Sequence, residues 1–122
     1  MNAKELRIGN YFIEERSNTL IKVIGLDIDN TITFSGKFET EWKAVPIILT
    51  KEWLKKFGFE KKEIFKGIKS GVFNLNSFEI GMTGDDFVRN LWTVRIDKKT
   101  IRKVRYVHQL QNLYFEITGL DF

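Results

Sequence analysis

Seven Lys or Arg side chains fall within the 17 residues from Arg89 to Arg105. They are Arg89, Arg95, Lys98, Lys99, Arg102, Lys103 and Arg105, set against one acid, Asp97. The chemistry open to such a group is phosphate neutralisation, because clustered cations release the counterions of a polyanion. Outside the stretch the charges cancel. Met1 to Val88 holds 13 basic and 13 acidic residues, and Tyr106 to Phe122 holds two acids and no Lys or Arg. The formal net charge of +4 is therefore local in the sequence, and local charge forms a surface patch. The competing reading is a solvated sheet face with acids such as Glu79 or Asp85 interleaved, since surface charge often serves only solubility.

Other reactive side chains are sparse. There is no cysteine and one histidine, so neither a disulfide framework nor a thiolate or His-rich metal site is expected. His108 opens a helical segment with no Ser or Cys nucleophile near it in sequence, and a structural role is expected for it. No glycine-rich phosphate loop and no His-Glu-x-x-His motif occurs. The expectation is a chain with no catalytic residues, no metal and no cofactor.

The elements that must hold the cations follow from periodicity. Phe87–Asp97 and Arg102–Val107 read as the last two strands. On the first, Trp92, Val94 and Ile96 share one face and Arg89, Thr93 and Arg95 the other. A two-residue turn at Lys98-Lys99 puts Val94 beside Lys103. An odd loop of roughly three or five residues puts Val94 beside Val104 and Trp92 beside Tyr106. The odd loop is predicted, because it makes one face apolar. The other face becomes a row of Arg89, Arg95, Lys103 and Arg105 with Lys98 and Lys99 at the tip.

Earlier in the chain, Gly9-Asn10 reads as a turn into a first strand through Ile13, and Thr19–Asp29 as a second. Asp29-Asn30 is a turn, Thr31–Phe34 a short strand ending at Ser35-Gly36, and Phe38–Val45 a further strand with Phe38 and Trp42 inward. A short helix is predicted over Lys51–Phe57, with Thr50 as N-cap, Gly58 at C′ and Phe59 packing past it. Glu63–Lys66 and Val72–Met82 read as strands, with turns at Gly67–Gly71 and Thr83–Asp86. The chain closes with a helix over His108–Thr118, where Leu110, Leu113, Tyr114 and Ile117 form the apolar stripe and Leu120 packs back past Gly119.

The fold class expected is α+β, a mostly antiparallel sheet or small barrel-like meander with a short middle helix and a C-terminal helix packed on the sheet. At 122 residues, 43% hydrophobic and 30% charged, one soluble domain is expected, with a strand meander over 1–45 and helix, strands and closing helix over 46–122. No apolar run suggests a signal peptide or a membrane span, so a cytoplasmic protein without a membrane partner is expected.

Two resemblances bear on function. Asp27-Ile28-Asp29-Asn30-Thr31 resembles the Asp-x-Asp-x-Thr loop of haloacid-dehalogenase-type phosphatases, and Gly84-Asp85-Asp86 their second acidic motif. The resemblance implies a magnesium phosphatase on a parallel doubly wound sheet. The single helix between Thr31 and Gly84 argues against that scaffold, so an ordinary strand ending in an Asp-Asn turn is expected. Separately, Leu6-Arg7-Ile8-Gly9-Asn10-Tyr11, Leu49–Leu54 through Phe57-Gly58-Phe59, and Tyr106–Phe115 followed by Ile117-Thr118-Gly119 resemble small uncharacterised proteins of Bacteroidetes genomes, prophages and mobile elements. That resemblance implies a bacterial or phage origin and assigns no site residue. The expectation is a non-enzymatic accessory protein that binds nucleic acid or another polyanion through Arg89, Arg95, Lys98, Lys99, Lys103 and Arg105. The alternative is a protein-interaction adaptor using exposed aromatics.

Overall fold

A computed structural model of the chain describes residues 6–26, 32–36, 43–62, 72–82, 86–97 and 99–122. The architecture is α+β, with two open antiparallel sheets rather than a closed barrel. The chain gathers into two compact units: Met1–Ile47 with Tyr106–Asp121, and Ile48–Arg105 with Phe122.

The first unit is built on β1 (Tyr11–Glu14), β2 (Thr19–Leu26), β3 (Ile32–Phe34) and β4 (Ala44–Pro46), in the order β3-β2-β1-β4. Alternation along β1 buries Phe12 and Glu14, and along β2 Ile21 and Val23. Leu6 joins them in the core. The Asp29-Asn30 turn and the expected inward positions of Phe38 and Trp42 lie outside the described residues.

The closing helix (Val107–Thr118; α3 below) packs on β1. Its start differs from the sequence reading. Tyr106 and Val107, expected to end a strand, are the N-cap and first residue of the helix, and Gln109 Oε1 accepts from the Tyr106 N–H at 3.1 Å. Leu110, Leu113 and Tyr114 are buried as expected. Ile117 and Leu120 are not: they are 43% and 60% exposed. Periodicity places Ile117 on the right face, but the last turn of the helix leaves it largely in solvent. Gly119 takes the left-handed φ of +74° that ends the helix.

The two ends of this unit are locked by a polar cluster. Asn10, 1% exposed, accepts from the Arg7 N–H at 2.7 Å and donates to Asn112 Oδ1 at 2.8 Å. Gln111 Oε1 accepts from the Tyr11 N–H at 3.0 Å, and its Nε2 donates to the Gly9 carbonyl at 3.1 Å. The Arg7 guanidinium lies 3.3 Å from the Phe115 ring centroid and pairs with Asp121 at 3.2 Å. Thus the first and last of the three resembling blocks contact each other directly. Buried polar groups satisfied this way fix a unique arrangement, whereas an apolar contact tolerates sliding.

The second unit begins with α1 (Lys51–Lys56), which ends as the sequence predicts. Thr50 Oγ1 accepts from the Trp53 N–H, and Gly58 has φ +97°. The Phe59 N–H reaches the Leu54 carbonyl at 2.9 Å and the Gly58 N–H the Lys55 carbonyl at 3.0 Å. This double bond pattern is the Schellman motif, and Leu54 and Phe59 are both buried beside it.

A five-stranded meander follows: β5 (Glu60–Lys62), β6 (Val72–Leu75), β7 (Phe78–Gly81), β8 (Trp92–Ile96) and β9 (Lys99–Val104), paired in that order. Phe73, Ile80, Phe78, Trp92, Val94 and Val104 are buried. Trp92 Nε1 donates to the Leu49 carbonyl at 3.0 Å, which gives its buried polar atom a partner.

Three strand readings are corrected here. Val72–Met82 is a hairpin, not one strand, with Leu75 opposite Phe78 and Asn76 at φ +55° in the turn. Phe87–Asp97 contains a short helix, α2 (Asp86–Arg89), before β8, with Asn90 at φ +54° between them. The last strand starts at Lys99, not Arg102. Asn and Asp tolerate the left-handed region, so these turns form without glycine. The predicted Glu63–Lys66 strand and the Gly67–Gly71 turn lie outside the described residues.

Candidate nucleic-acid interface

The hairpin of β8 and β9 reverses between Ile96 and Lys99, which face each other, with Asp97 at φ +50°. Arg95 faces Thr100, then the register shifts. Val94 faces Arg102, Thr93 faces Lys103 and Trp92 faces Val104. The loop is therefore two residues long, and the predicted odd loop is wrong, as are the partners Val94–Val104 and Trp92–Tyr106. The shift makes Ile101 an extra residue, a β-bulge. One inserted residue changes parity just as an odd loop does. Trp92, Val94 and Val104 therefore still end up buried, with the tight turn kept.

The cations are not one row. Arg95 and Lys103 sit on the outer face with Thr100 and with Thr93, which is itself buried. Lys99 and Arg102 oppose Ile96 and Val94, which puts them on the other face, yet both are exposed because β9 is the sheet edge. From Lys99 to Lys103 every residue of β9 is exposed, Ile101 by 45%. Lys98 lies outside the described residues.

Arg89 is corrected furthest. It is the last residue of α2 rather than a strand residue. Arg105 nevertheless reaches it: the Arg105 Nε donates to the Arg89 carbonyl at 3.1 Å. A cation at the carbonyl end of a helix satisfies an acceptor that the helix leaves open. Arg105 is half-buried, and its own carbonyl accepts from the Leu49 N–H at 2.9 Å.

The outer face also holds acids. Glu79 on β7 pairs directly with Arg95, and beyond Glu79 the same row runs through Asn74 to Glu60. Opposite charges facing across strands stabilise a sheet, so the acid at Glu79 offsets the cost of Arg95. The competing expectation of an interleaved acid thus holds at Glu79, while Asp85 is outside the described residues. What remains as a basic surface is an edge: Lys99, Arg102 and Lys103 on β9, with Arg95 beside them.

The two compact units divide the charge unequally. The second unit holds 14 basic and 7 acidic residues, a net of +7, and the first holds 6 and 9, a net of −3. Met1–Ile47 sums to −1 and Ile48–Val88 to +1, so the charge of the second unit comes almost entirely from the stretch Arg89–Arg105.

The only histidine lies in the first unit. His108 is 7% exposed, stacked on Phe12 at 4.9 Å and near-parallel to Tyr106 at 5.8 Å. Its ring is part of the packing between α3 and β1. The Asp27-x-Asp29 segment and Asp85 are outside the described residues, but β2, which leads to Asp27, runs antiparallel to both of its neighbours. The phosphatase scaffold places that loop after a parallel strand, so the chain does not have that fold.

No family model matches the chain, and comparison with curated proteins and with solved structures gives no match. No helix among the described residues is long and apolar enough to cross a membrane.

Proposed function

We propose that the chain is a non-enzymatic accessory protein, of phage or mobile-element origin and acting in the cytoplasm, that binds nucleic acid by its phosphate backbone along the β9 edge. The observation that carries this reading is the exposed edge strand with Lys99, Arg102 and Lys103, flanked by Arg95, in a unit of net charge +7. Phosphate contacts need accessible cations at the spacing of a chain of phosphates, not a flat face or a pocket. An edge supplies them from both sides of the strand. A bulge and lysines on an edge also block unwanted strand addition, and that role alone predicts no binding. The exposed Ile101 on the same strand favours, as a second reading, a protein partner that adds a strand there.

A gel-shift titration of a short DNA duplex at two salt concentrations separates these. Four phosphate contacts give a slope of log K against log salt of about −3.6. The pair Lys99→Glu with Lys103→Glu should lower affinity and bring the slope to about −1.8, two contacts fewer. No shift of the native protein at low salt reduces the cluster to edge protection. Equal binding by the reversed protein moves the interface elsewhere.

A further inference from the structure

The second unit carries a feature that the basic hairpin does not use. On α1, Trp53, Lys56 and Phe57 lie at i, i+3 and i+4, one face of the helix. Trp53 and Phe57 are half-exposed, and their rings lie 5.6 Å apart. Phe57 stacks on Phe122 at 4.3 Å with an interplanar angle of 10°. The Lys56 ammonium sits 4.6 Å from the Trp53 ring centroid. Lys51, Lys55 and Lys56 are all exposed, against the single acid Glu52 on the helix.

Such a ring face is electron-rich and reachable by a charged group at the surface. A half-exposed indole among three lysines has the two components of single-strand recognition, a π-face for a base and cations for the adjoining phosphates. A duplex hides its base faces and uses only the second. Charge complementarity selects the occupant: a neutral apolar segment leaves the lysines unused, and the net +7 of this unit favours a polyanion.

Resting on the nucleic-acid reading above, we propose that Trp53 is a base-stacking platform and that the preferred ligand is single-stranded DNA or RNA. A base takes the ring face that Lys56 covers, and the Lys56 ammonium turns to the neighbouring phosphate. Phe57, held by Phe122, backs the indole. The cations of β9 serve the same strand's backbone or a duplex alike, whereas α1 discriminates between them.

The test is a fluorescence titration with a thymidine oligomer of about 15 nucleotides, within the footprint of known single-strand sites. The short duplex serves as reference. The native protein should bind the oligomer with quenching of indole emission. Trp53→Ala should weaken oligomer binding tenfold or more, with duplex affinity unchanged, and Trp53→Phe should recover much of the loss. Native binding to the duplex with oligomer affinity indifferent to Trp53→Ala sinks this inference and leaves the nucleic-acid reading standing. Failure of the native protein to bind either ligand at low salt sinks both. Displacement of the oligomer by polyglutamate at equal charge, with the same quenching, shows a charge-only surface open to acidic peptides and overturns the stacking role. If Trp53→Ala melts early, Lys55→Glu with Lys56→Glu on the exposed surface replaces it. That pair must weaken oligomer binding more than duplex binding, or the proposal fails.

Discussion

The two compact units differ in what their polar residues are for. In the first, Asn10, Gln111 and Asn112 turn inward and bond one another and the backbone, and the unit carries a net charge of −3. In the second, the polar residues of β9 and α1 turn outward, and the charge is +7. Both sheets are antiparallel and both bury aromatic cores, so the contrast does not come from fold type. Inward polar groups specify an arrangement; outward ones of a single sign present a surface. The same chain separates these tasks by sequence segment, and substitutions should separate them too.

The largest effect is expected in the core of the first unit. Phe12 is fully buried, stacked on His108 and edge-on to Phe34 at 5.6 Å. Phe12→Ala should cost about 3–5 kcal/mol in a urea melt. Ile117→Ala, on the exposed last turn of α3, should stay within about 0.5 kcal/mol. A large loss at Ile117 would mean that its face is covered in solution.

Next comes the polar lock. Asn10→Ala removes an acceptor for the Arg7 N–H and a donor to Asn112, and should cost about 1–3 kcal/mol through the groups left unsatisfied. If Asn10→Ala is neutral, water replaces the amide without loss, and the inward role assigned to these residues is wrong. Neither this variant nor Ile117→Ala should alter the duplex affinity of protein that remains folded.

The smallest effect concerns acid. The Glu52 carboxyl is held below its ordinary value by hydrogen bonds from its own backbone N–H and the Thr50 side chain, helped by Lys55 and Lys51. A carboxyl lowered in the folded state adds stability that is complete above its unfolded pKa, about 4.3, and is lost as pH falls through the folded value. Melting midpoints of the native protein and Glu52→Gln should therefore differ slightly at neutral pH and converge as pH falls through the lowered folded value. Full solvent exposure keeps the difference small. A gap that persists or widens in acid would show that Glu52 acts through something other than its charge.

Local chemistry was readable in the sequence and register was not. The helix between Thr50 and Gly58 follows from a cap hydroxyl, a first-turn acid and a glycine stop, each acting within a few residues. The Val72–Met82 hairpin escaped because its turn is Asn76-Ser77, without the glycine that usually marks one. The α2 helix escaped because Asp86-Phe87-Val88-Arg89 is rich in strand-favouring side chains and only four residues long. For the candidate interface, the cluster itself was legible as a count of charges. Its division between two faces depended on the bulge at Ile101, which no residue type announces. Composition offers Glu79 as an acid for the cations, but only sheet order puts it opposite Arg95. Trp53, Leu54 and Phe57 stand at helical spacing in the sequence, but the half-exposed Trp53 ring and the lysine over it depend on which side of α1 faces the core.

The lock between Asn10 and Asn112 also bears on how the chain is made. Its two halves are 102 residues apart, whereas the second unit is one continuous run apart from Phe122. A ribosome adds about 5–20 residues per second, so Asn10 waits some 5–20 s for its partner to be synthesised. For that interval Phe12 has no helix to stack against. During synthesis the run Ile48–Arg105 is made whole before α3, and the first sheet is the part left waiting for its helix. Slowing translation just before Tyr106 should therefore increase aggregation of the nascent chain more than slowing it just after Ile47.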